Sequence, residues 1–152
     1  MKLSVVILGA GESGLGAAML AKSKGFDVFL SDYGKIAATF RELLIANEIA
    51  FEEGGHTIEK LTAAHLVVKS PGIPNTVPGI QALKKKGIPV ISEIEFASRY
   101  TEAKIIAITG TNGKTTTTLL TYHLLREAGF NVGVGGNIGN SFAAMVVDDV
   151  YD

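Results

Sequence analysis

Two glycine-rich turns carry the residues of this sequence whose types and spacing best suit chemistry. The later turn runs from Gly110 to Thr116, reads GTNGKTT and directly follows an apolar segment. It has the G-K-T core of a P-loop, in which amides cradle phosphates, the lysine reaches the β and γ groups, and a hydroxyl binds magnesium. Ile108 stands where the consensus has its first glycine, so this loop is shorter. The turn predicts a site for ATP phosphates that includes Lys114.

The earlier turn, from Gly9 to Gly14, reads GAGESG and joins a predicted strand to a predicted helix. In this G-x-G-x-x-G pattern the glycines permit a tight turn and a close approach to a diphosphate, and the helix N-terminus supplies free N–H groups. Asp32 follows the second predicted strand, where a carboxylate can accept a ribose hydroxyl. Alone, the motif suggests NAD or FAD. The alternative is that the glycines serve only close packing and that Asp32 caps a turn.

Two further loops follow predicted strands. The stretch 69–75, KSPGIPN, has two prolines that restrict the residues before them and a glycine that allows close approach, so it predicts a stiff loop. The stretch 132–142, VGVGGNIGNSF, places Asn137 among four glycines, which suits amide contacts with a ligand. For each loop, a plain connection is the alternative.

Short apolar runs alternate with helix-like segments, a pattern typical of parallel strands buried on both faces. The predicted class is therefore α/β, with a Rossmann-like parallel sheet domain over 1–91 and the beginning of a P-loop ATPase-type α/β domain over 92–152. Strands are predicted at 3–8, 27–31, 66–69, 88–91, 104–109 and 131–134, with a weaker one at 49–52. Helices are predicted at 13–24, 36–47, 77–86, 93–99 and 114–128.

The domain boundary is placed by a capping signal. Ser92 and Glu95 fit a capping box, so a helix is expected to begin where the first sheet ends. This explains Glu93 and Glu95 better than a carboxylate pair for acid–base chemistry. The final stretch, AAMVVDDVYD, resembles an incoming strand, and we expect the chain to be the front part of a longer protein.

Composition excludes several classes of function. The 152 residues carry a formal net charge of -1, which argues against a nucleic-acid surface that neutralises phosphates. There is no cysteine, so disulfides, thiolate metal sites and cysteine nucleophiles are excluded. No apolar run reaches the roughly 20 residues of a membrane span. The apolar start is too short, and too soon interrupted by Glu12, to favour a signal peptide.

Five stretches together resemble the Mur ligases of bacterial cell-wall synthesis. They are GAGESG, SPGIP, SEIEFASRY, ITGTNGKTTT and VGVGGNIG, in this order and across nearly the whole chain. TGTNGKT alone is shared with folylpolyglutamate synthetase. SPGIP together with GGNIG is most similar to the D-glutamate-adding branch of the family.

The resemblance implies that the two turns serve two different nucleotides. The first domain would bind the uridine diphosphate end of a sugar substrate rather than NAD, and the second would bind ATP. The residues implied for the sugar nucleotide are Gly11, Glu12, Ser13 and Gly14 at the diphosphate, Asp32 and Tyr33 at the uridine, Ser70, Pro71 and Gly72 around them, and Asn137 toward the sugar-peptide part. Those implied for the ATP phosphates are Gly110, Thr111, Asn112, Gly113, Lys114, Thr115 and Thr116, with Thr115 as the magnesium ligand.

The implied activity is the addition of D-glutamate to UDP-N-acetylmuramoyl-L-alanine through an acyl phosphate, with ATP and Mg²⁺, in peptidoglycan precursor synthesis. Lys114 is the implied catalytic residue. The resemblance also implies a cytoplasmic enzyme that is monomeric at full length and engages neither nucleic acid nor membrane. We expect the 152-residue chain alone to be inactive, and its second half to be mobile or packed against another copy. The alternatives are another Mur or folylpolyglutamate-type ligase, or an NAD- or UDP-binding module without ligase activity.

Overall fold

The first half of the chain folds into a five-stranded parallel sheet. The structure is a computed structural model that describes residues 2–136, 138–148 and 150–152. Its strands are β1 (Ser4–Leu8), β2 (Asp27–Ser31), β3 (Ala50–Glu52), β4 (Leu66–Lys69) and β5 (Val90–Ser92). Its helices are α1 (Glu12–Ser23), α2 (Ala38–Ala46), α3 (Ile58–Thr62), α4 (Pro78–Lys85), α5 (Glu93–Ala97), α6 (Lys114–Glu127) and α7 (Phe142–Asp148), with a 3₁₀ turn at Ser98–Tyr100.

The strand order is β3-β2-β1-β4-β5, and every pair is parallel. In register, Leu8 lies opposite Ser31 of β2 on one side and opposite Lys69 of β4 on the other. The order reverses at β1, since the chain runs outward to β2 and β3 and then returns to β4 and β5. Ligands of such sheets bind outside the carboxyl ends of the strands at this switch point. The α/β class and the Rossmann-like sheet are confirmed.

The two faces of the sheet bury separate apolar clusters. Along β1, Val5 and Ile7 face a cluster covered by α1, α5 and α7, whereas Val6 and Leu8 face a cluster covered by α3 and α4. This alternation explains why the strand is a continuous apolar run, as expected for a sheet covered on both sides. The first cluster also takes side chains from beyond the proposed boundary at residue 91, namely Phe96, Ala97, Ala143 and Val146.

Two predicted strands are wrong. The structure gives the segments 104–109 and 131–134 no strand assignment. Lys104 and Asn131 instead each share a single backbone hydrogen bond with Asp152. A strand needs a neighbour that supplies a ladder of such bonds, and the described residues provide none for these two segments. Ile105 is accordingly 52 % exposed.

The chain's last apolar stretch is a helix and not the strand that was expected. Residues 143–148 of this stretch lie in α7, which packs against α1 and α5. Ala143 and Val146 lie three residues apart and are both buried, which is the spacing of one helical face. Gly16 of α1 makes the approach possible, because a Cβ at this position would collide with Ser141 and Ala144.

Candidate functional site

The loops that follow β1 and β4 meet at the switch point of the sheet. A Cβ added to Gly9 would lie 2.5 Å from Ser70 Oγ, so a side chain at this position has no room. Gly9 also has φ of +95°, which L-residues with side chains rarely adopt. The structure thus brings together two of the predicted binding segments, 9–14 and 70–72, which lie about sixty residues apart in the chain.

The turn after β1 ends in an uncapped helix N-terminus. Gly11 is the N-cap of α1, makes no side-chain capping bond, and has nothing within 4 Å of where a Cβ would be. Gly14 is buried against the carbonyl of Gly9, so it provides close packing within the turn. Glu12 is exposed and Ser13 is half-buried in the first turn of α1. Open space in front of free amides suits an anion.

Asp32 holds the turn in shape. Its Oδ2 accepts a hydrogen bond of 2.5 Å from the N–H of Ala10, and its Oδ1 accepts one of 2.7 Å from the N–H of Gly34. The carboxylate therefore ties the end of β2 to the turn after β1. Because each carboxylate oxygen has two lone pairs, both oxygens keep the capacity to accept a hydroxyl. The neighbouring Tyr33 is 79 % exposed.

The loop after β4 is fixed by its own backbone and by a lysine. Ser70 N–H donates to Leu8 O at 2.9 Å, and Lys69 Nζ donates to the carbonyls of Ile73 at 2.6 Å and Ser70 at 3.3 Å. Pro71 and Gly72 are exposed at the tip. The Ser70 hydroxyl is buried and has no hydrogen-bond partner among the described residues. A buried hydroxyl without a partner is costly, so this atom suits a ligand that hydrogen-bonds to it.

A polar network that the sequence analysis missed lies at the carboxyl ends of β2 and β3. Glu52 Oε1 accepts from Ser31 Oγ at 2.8 Å and from Thr57 N at 2.8 Å, while Oε2 accepts from Thr57 Oγ1 at 2.7 Å and Lys60 Nζ at 3.1 Å. His56 Nδ1 lies 2.7 Å from the same Ser31 Oγ. Burial raises the pKa of Glu52, but the hydrogen bonds from Thr57, Ser31 and Lys60 outweigh it and lower the pKa to about 2.

The later turn, 110–116, is exposed and opens a second helix. Its helix, α6, begins at Lys114 after Gly113, which has φ of +74° and provides no side-chain cap. Lys114 Nζ folds back over the turn and donates to the carbonyls of Gly110 and Thr111. Free amides, a left-handed glycine and an adjacent ammonium fit a phosphate. Within the described part of the chain, the hydrogen bonds of this turn are internal. The structure therefore does not join it to the space beside the turn 9–14 and the loop 70–72, which we name the switch-point crevice.

The magnesium and sugar-peptide parts of the predicted site have less support. Thr115 and Thr116 are exposed in the first turn of α6. Among the described residues, no three His, Cys, Asp or Glu side chains cluster as metal ligands would. Asn137 lies outside the described residues.

The two acids at the start of α5 have different roles. The predicted N-cap is confirmed, since Ser92 Oγ accepts the N–H of Glu95 at 3.1 Å. Glu95 is exposed and pairs with Arg99 at 3.0 Å. Glu93, by contrast, is only 4 % exposed and accepts the N–H of Ala143 at 2.6 Å. Burial raises the pKa of Glu93, against the opposing hydrogen bonds from Ala143 and Ser141.

The parallel sheet, whose strand order reverses at β1, defines an α/β protein of the doubly wound, Rossmann-like class. Residues 3–92 match the family described as Mur ligase MurD-like, N-terminal domain, and residues 108–147 match the Mur ligase middle domain. The first match alone spans more than half of the chain. The chain therefore belongs to the Mur ligase family, in its MurD-like branch.

Curated relatives of this chain are longer proteins. A UDP-N-acetylmuramoylalanine--D-glutamate ligase of Bacteroides fragilis is 58% identical over 148 residues, which are 97% of this chain and 33% of the relative. The protein of the same name from Christiangramia forsetii is 56% identical over 152 residues, which are 100% of this chain and 34% of the relative. The chain thus spans about a third of the length of these relatives.

Solved structures agree on the fold. A murein peptide ligase, mpl, from Psychrobacter arcticus superposes with a TM-score of 0.63 at 28% identity, over 98% of this chain and 32% of that one.

None of the helices in the described part of the chain is long and apolar enough to cross a membrane.

Proposed function

We propose that this chain forms the substrate-binding front of a ligase that joins D-glutamate to UDP-N-acetylmuramoyl-L-alanine. The observation that carries the proposal is the closure of the Gly9 turn on Ser70 at the switch point, which leaves one buried hydroxyl without a partner. The names and identities of the relatives supply the substrate class. The wider process is peptidoglycan precursor synthesis, in the cytoplasm.

The crevice at the switch point binds the diphosphate and uridine of the sugar substrate. The amides of Gly11, Glu12, Ser13 and Gly14 at the start of α1 face the diphosphate, because no side chain of the described residues caps this helix. Ser70 donates its hydroxyl to the substrate, and Pro71 and Gly72 close the crevice from the other side. Asp32 and the exposed Tyr33 lie on the uridine side, and Asn137 reaches toward the sugar-peptide part.

The turn of α6 binds the phosphates of ATP. The backbone from Gly110 to Gly113 and the first residues of α6, including Thr116, surround the β and γ phosphates. Lys114 leaves its own loop carbonyls to contact the γ-phosphoryl group. Thr115 contributes one hydroxyl to Mg²⁺. A positive group that faces the charge moving in phosphoryl transfer stabilises the transition state.

The reaction has two steps. The alanine carboxylate oxygen of the sugar substrate attacks the γ-phosphorus of ATP, so that an acyl phosphate forms and ADP leaves. The amine nitrogen of D-glutamate then attacks the acyl carbon, the amide bond forms, and inorganic phosphate and a proton leave. D-Glutamate would bind to parts of the ligase beyond this chain, and those parts would supply the remaining metal ligands. The domain boundary at 91/92 and a monomeric full-length enzyme belong to the same proposal.

Ligation by the whole enzyme tests this function against the other members of the family. The assay supplies ATP and UDP-N-acetylmuramoyl-L-alanine with D-glutamate or L-glutamate, and in parallel ATP and UDP-N-acetylmuramate with L-alanine, and measures ADP and the amide product together. We expect product and ADP in equal amounts with D-glutamate and little with the other two. Product with L-alanine or L-glutamate in place of D-glutamate would assign the chain to another ligase, and nucleotide binding without any product would favour a binding module.

A further inference from the structure

Ser31, Glu52 and His56 form a hydrogen-bond network in which the protons can be assigned. The Ser31 hydroxyl has one proton and lies 2.8 Å from Glu52 Oε1 and 2.7 Å from His56 Nδ1. Only one of these two neighbours can accept that proton, and the other must donate one to Ser31 Oγ. Ser31 is fully buried, so water does not provide another arrangement, and the Gly55 carbonyl, at 3.5 Å from Ser31 Oγ, is too distant to compete for the proton.

Glu52 takes the serine proton. Its three hydrogen bonds from Thr57 N, Thr57 Oγ1 and Lys60 Nζ hold it as a carboxylate, which accepts hydrogen bonds and donates none. If the Ser31 proton pointed to His56 instead, a lone pair of Ser31 would face a carboxylate oxygen at 2.8 Å. The proton of the neutral imidazole therefore lies on Nδ1, which donates to Ser31 Oγ. The other ring nitrogen, Nε2, is left with a lone pair and has no hydrogen-bond partner among the described residues.

His56, which carries this lone pair, lies at the same edge of the sheet as the proposed uridine site. His56 follows β3, and Tyr33 follows β2, its neighbour in the sheet. The two rings are 6.2 Å apart between centroids, and Tyr33 is otherwise largely exposed. Tyr33 also directly follows Asp32, which is bonded to the diphosphate turn at Ala10. Two flat rings beside a phosphate turn suit a nucleobase, since proteins read bases by stacking and by their hydrogen-bonding edges.

We propose that His56 selects a uracil base, with Nε2 accepting the proton of the base N3 and with Ser31 and Glu52 fixing the tautomer that makes this possible. The inference rests on the proposed function, because it needs a nucleotide in the crevice. Uracil carries a proton on N3, whereas cytosine has a lone pair there. An Nε2 lone pair that faces N3 of the base attracts uracil and repels cytosine.

A binding assay with two pyrimidine nucleotides tests the proposal. UDP and CDP are titrated calorimetrically into the 152-residue chain at mildly alkaline pH. We expect the unaltered chain to prefer UDP, and His56→Ala to lower the ratio of UDP to CDP affinity by roughly tenfold, the size of one hydrogen bond together with its mismatch. Ser31→Ala keeps the imidazole ring of His56 but no longer fixes its tautomer. The ratio of UDP to CDP affinity should therefore also fall relative to the unaltered chain, by a smaller factor than in His56→Ala.

His65 provides a matched control. Its Nδ1 also lies beside a serine, 2.8 Å from Ser4 Oγ, but at the amino end of the sheet, and it accepts the N–H of Ser4 at 3.1 Å. The proton of His65 is therefore on Nε2, opposite to His56. Long-range ¹H–¹⁵N NMR spectra of the unaltered chain are expected to show the two tautomers side by side, and His65→Ala should keep the nucleotide ratio.

The outcomes separate this inference from the proposed function. If the unaltered chain binds neither UDP nor CDP, the nucleotide site itself is wrong. If UDP binds and His56→Ala keeps the parent ratio, the site stands and the role of His56 is overturned. An Nε2-protonated His56 in the NMR spectra overturns the inference as well, even if the variants fail to fold.

Discussion

Glu93 and Ala143 are joined by a buried hydrogen bond of 2.6 Å across fifty residues of sequence. The carboxylate of Glu93 begins α5, and the N–H of Ala143 lies in the first turn of α7. The bond fastens the segment after the glycine-rich stretch 132–142 to the helices that cover the sheet. Glu93 is thus a positioning group and not half of a carboxylate pair, as its neighbour Glu95 is exposed and paired with Arg99.

Glu93→Gln should raise the free energy of unfolding, relative to the unaltered chain, more at neutral pH than in acid. The folded pKa of Glu93 is raised above the ordinary 4.5 by burial, so ionisation in the folded state costs stability that is absent below about 4.5 and grows as the pH rises. Glutamine keeps an acceptor for Ala143 without that cost. Urea unfolding at several pH values measures the difference. Glu95→Gln is the control, and a Glu93→Gln effect that does not change with pH would contradict the burial argument.

Glu93→Ala should destabilise at every pH. It leaves the N–H of Ala143 buried without an acceptor, which costs about 1–3 kcal/mol. The same urea curves measure it. An alanine variant as stable as the glutamine variant would show that the bond does not hold α7.

Glu52→Gln has the opposite pH dependence. The folded pKa of Glu52 is about 2 against an ordinary 4.5, so its carboxylate contributes stability above about 4.5 that is lost as the pH falls toward 2. The variant should be less stable than the parent at neutral pH, and the gap should close in acid. Exposed Glu59 provides the control variant Glu59→Gln. A gap that stays constant between neutral and acid pH would contradict the network.

Gly9→Ala should disrupt the crevice more than its backbone strain alone explains. The new Cβ would lie 2.5 Å from Ser70 Oγ and 2.9 Å from Ser70 Cβ. Gly25 has a similar φ, +82° against +95°, but open space around its Cβ position, so Gly25→Ala isolates the strain, about 1–2 kcal/mol. We expect a larger loss of unfolding free energy and weaker UDP binding for Gly9→Ala. Equal losses in the two variants would show that the loops do not meet as described.

Local signals were sufficient to predict most of the sheet and the positions of the loops that follow its strands. β1, β2, β4 and β5 are apolar runs, and the glycine and proline positions mark the loops that follow them. Since parallel strands end at one edge, Gly9, Asp32 and Ser70 come together as soon as the strand order is known. The Ser92 cap is also a local signal, because the two atoms of its hydrogen bond, Ser92 Oγ and Glu95 N, lie within one helical turn.

What depended on distant partners could not be predicted from the sequence. The segments 104–109 and 131–134 have the composition of strands but lack a neighbouring ladder among the described residues. The α7 segment is a helix because it packs closely against Gly16 and because Glu93 accepts a hydrogen bond from the N–H of Ala143. Neither Gly16 nor Glu93 is near α7 in the sequence. The Ser31, Glu52 and His56 network joins residues more than twenty positions apart. Polar residues at the ends of two adjacent strands were its only signal.

Lys114→Ala in the whole ligase should lower kcat by roughly 10²-fold or more, the scale for removing a charged contact to a transition state. Affinity for UDP-N-acetylmuramoyl-L-alanine should change little, because the turn of α6 makes no hydrogen bond to the crevice residues that the structure describes. Initial rates and calorimetry measure the two effects. Lys84→Ala, at an exposed position of α4, is the control. Activity within a few-fold of the parent would contradict the role of the turn.

The central claim is that the switch-point crevice binds a uridine diphosphate and not a dinucleotide. Calorimetric titration of the 152-residue chain with UDP and with NAD, in parallel and under identical conditions, tests it most directly. We expect saturable one-to-one binding of UDP, weakened by Gly9→Ala, and weaker or no binding of NAD. Tighter binding of NAD than of UDP would contradict the account.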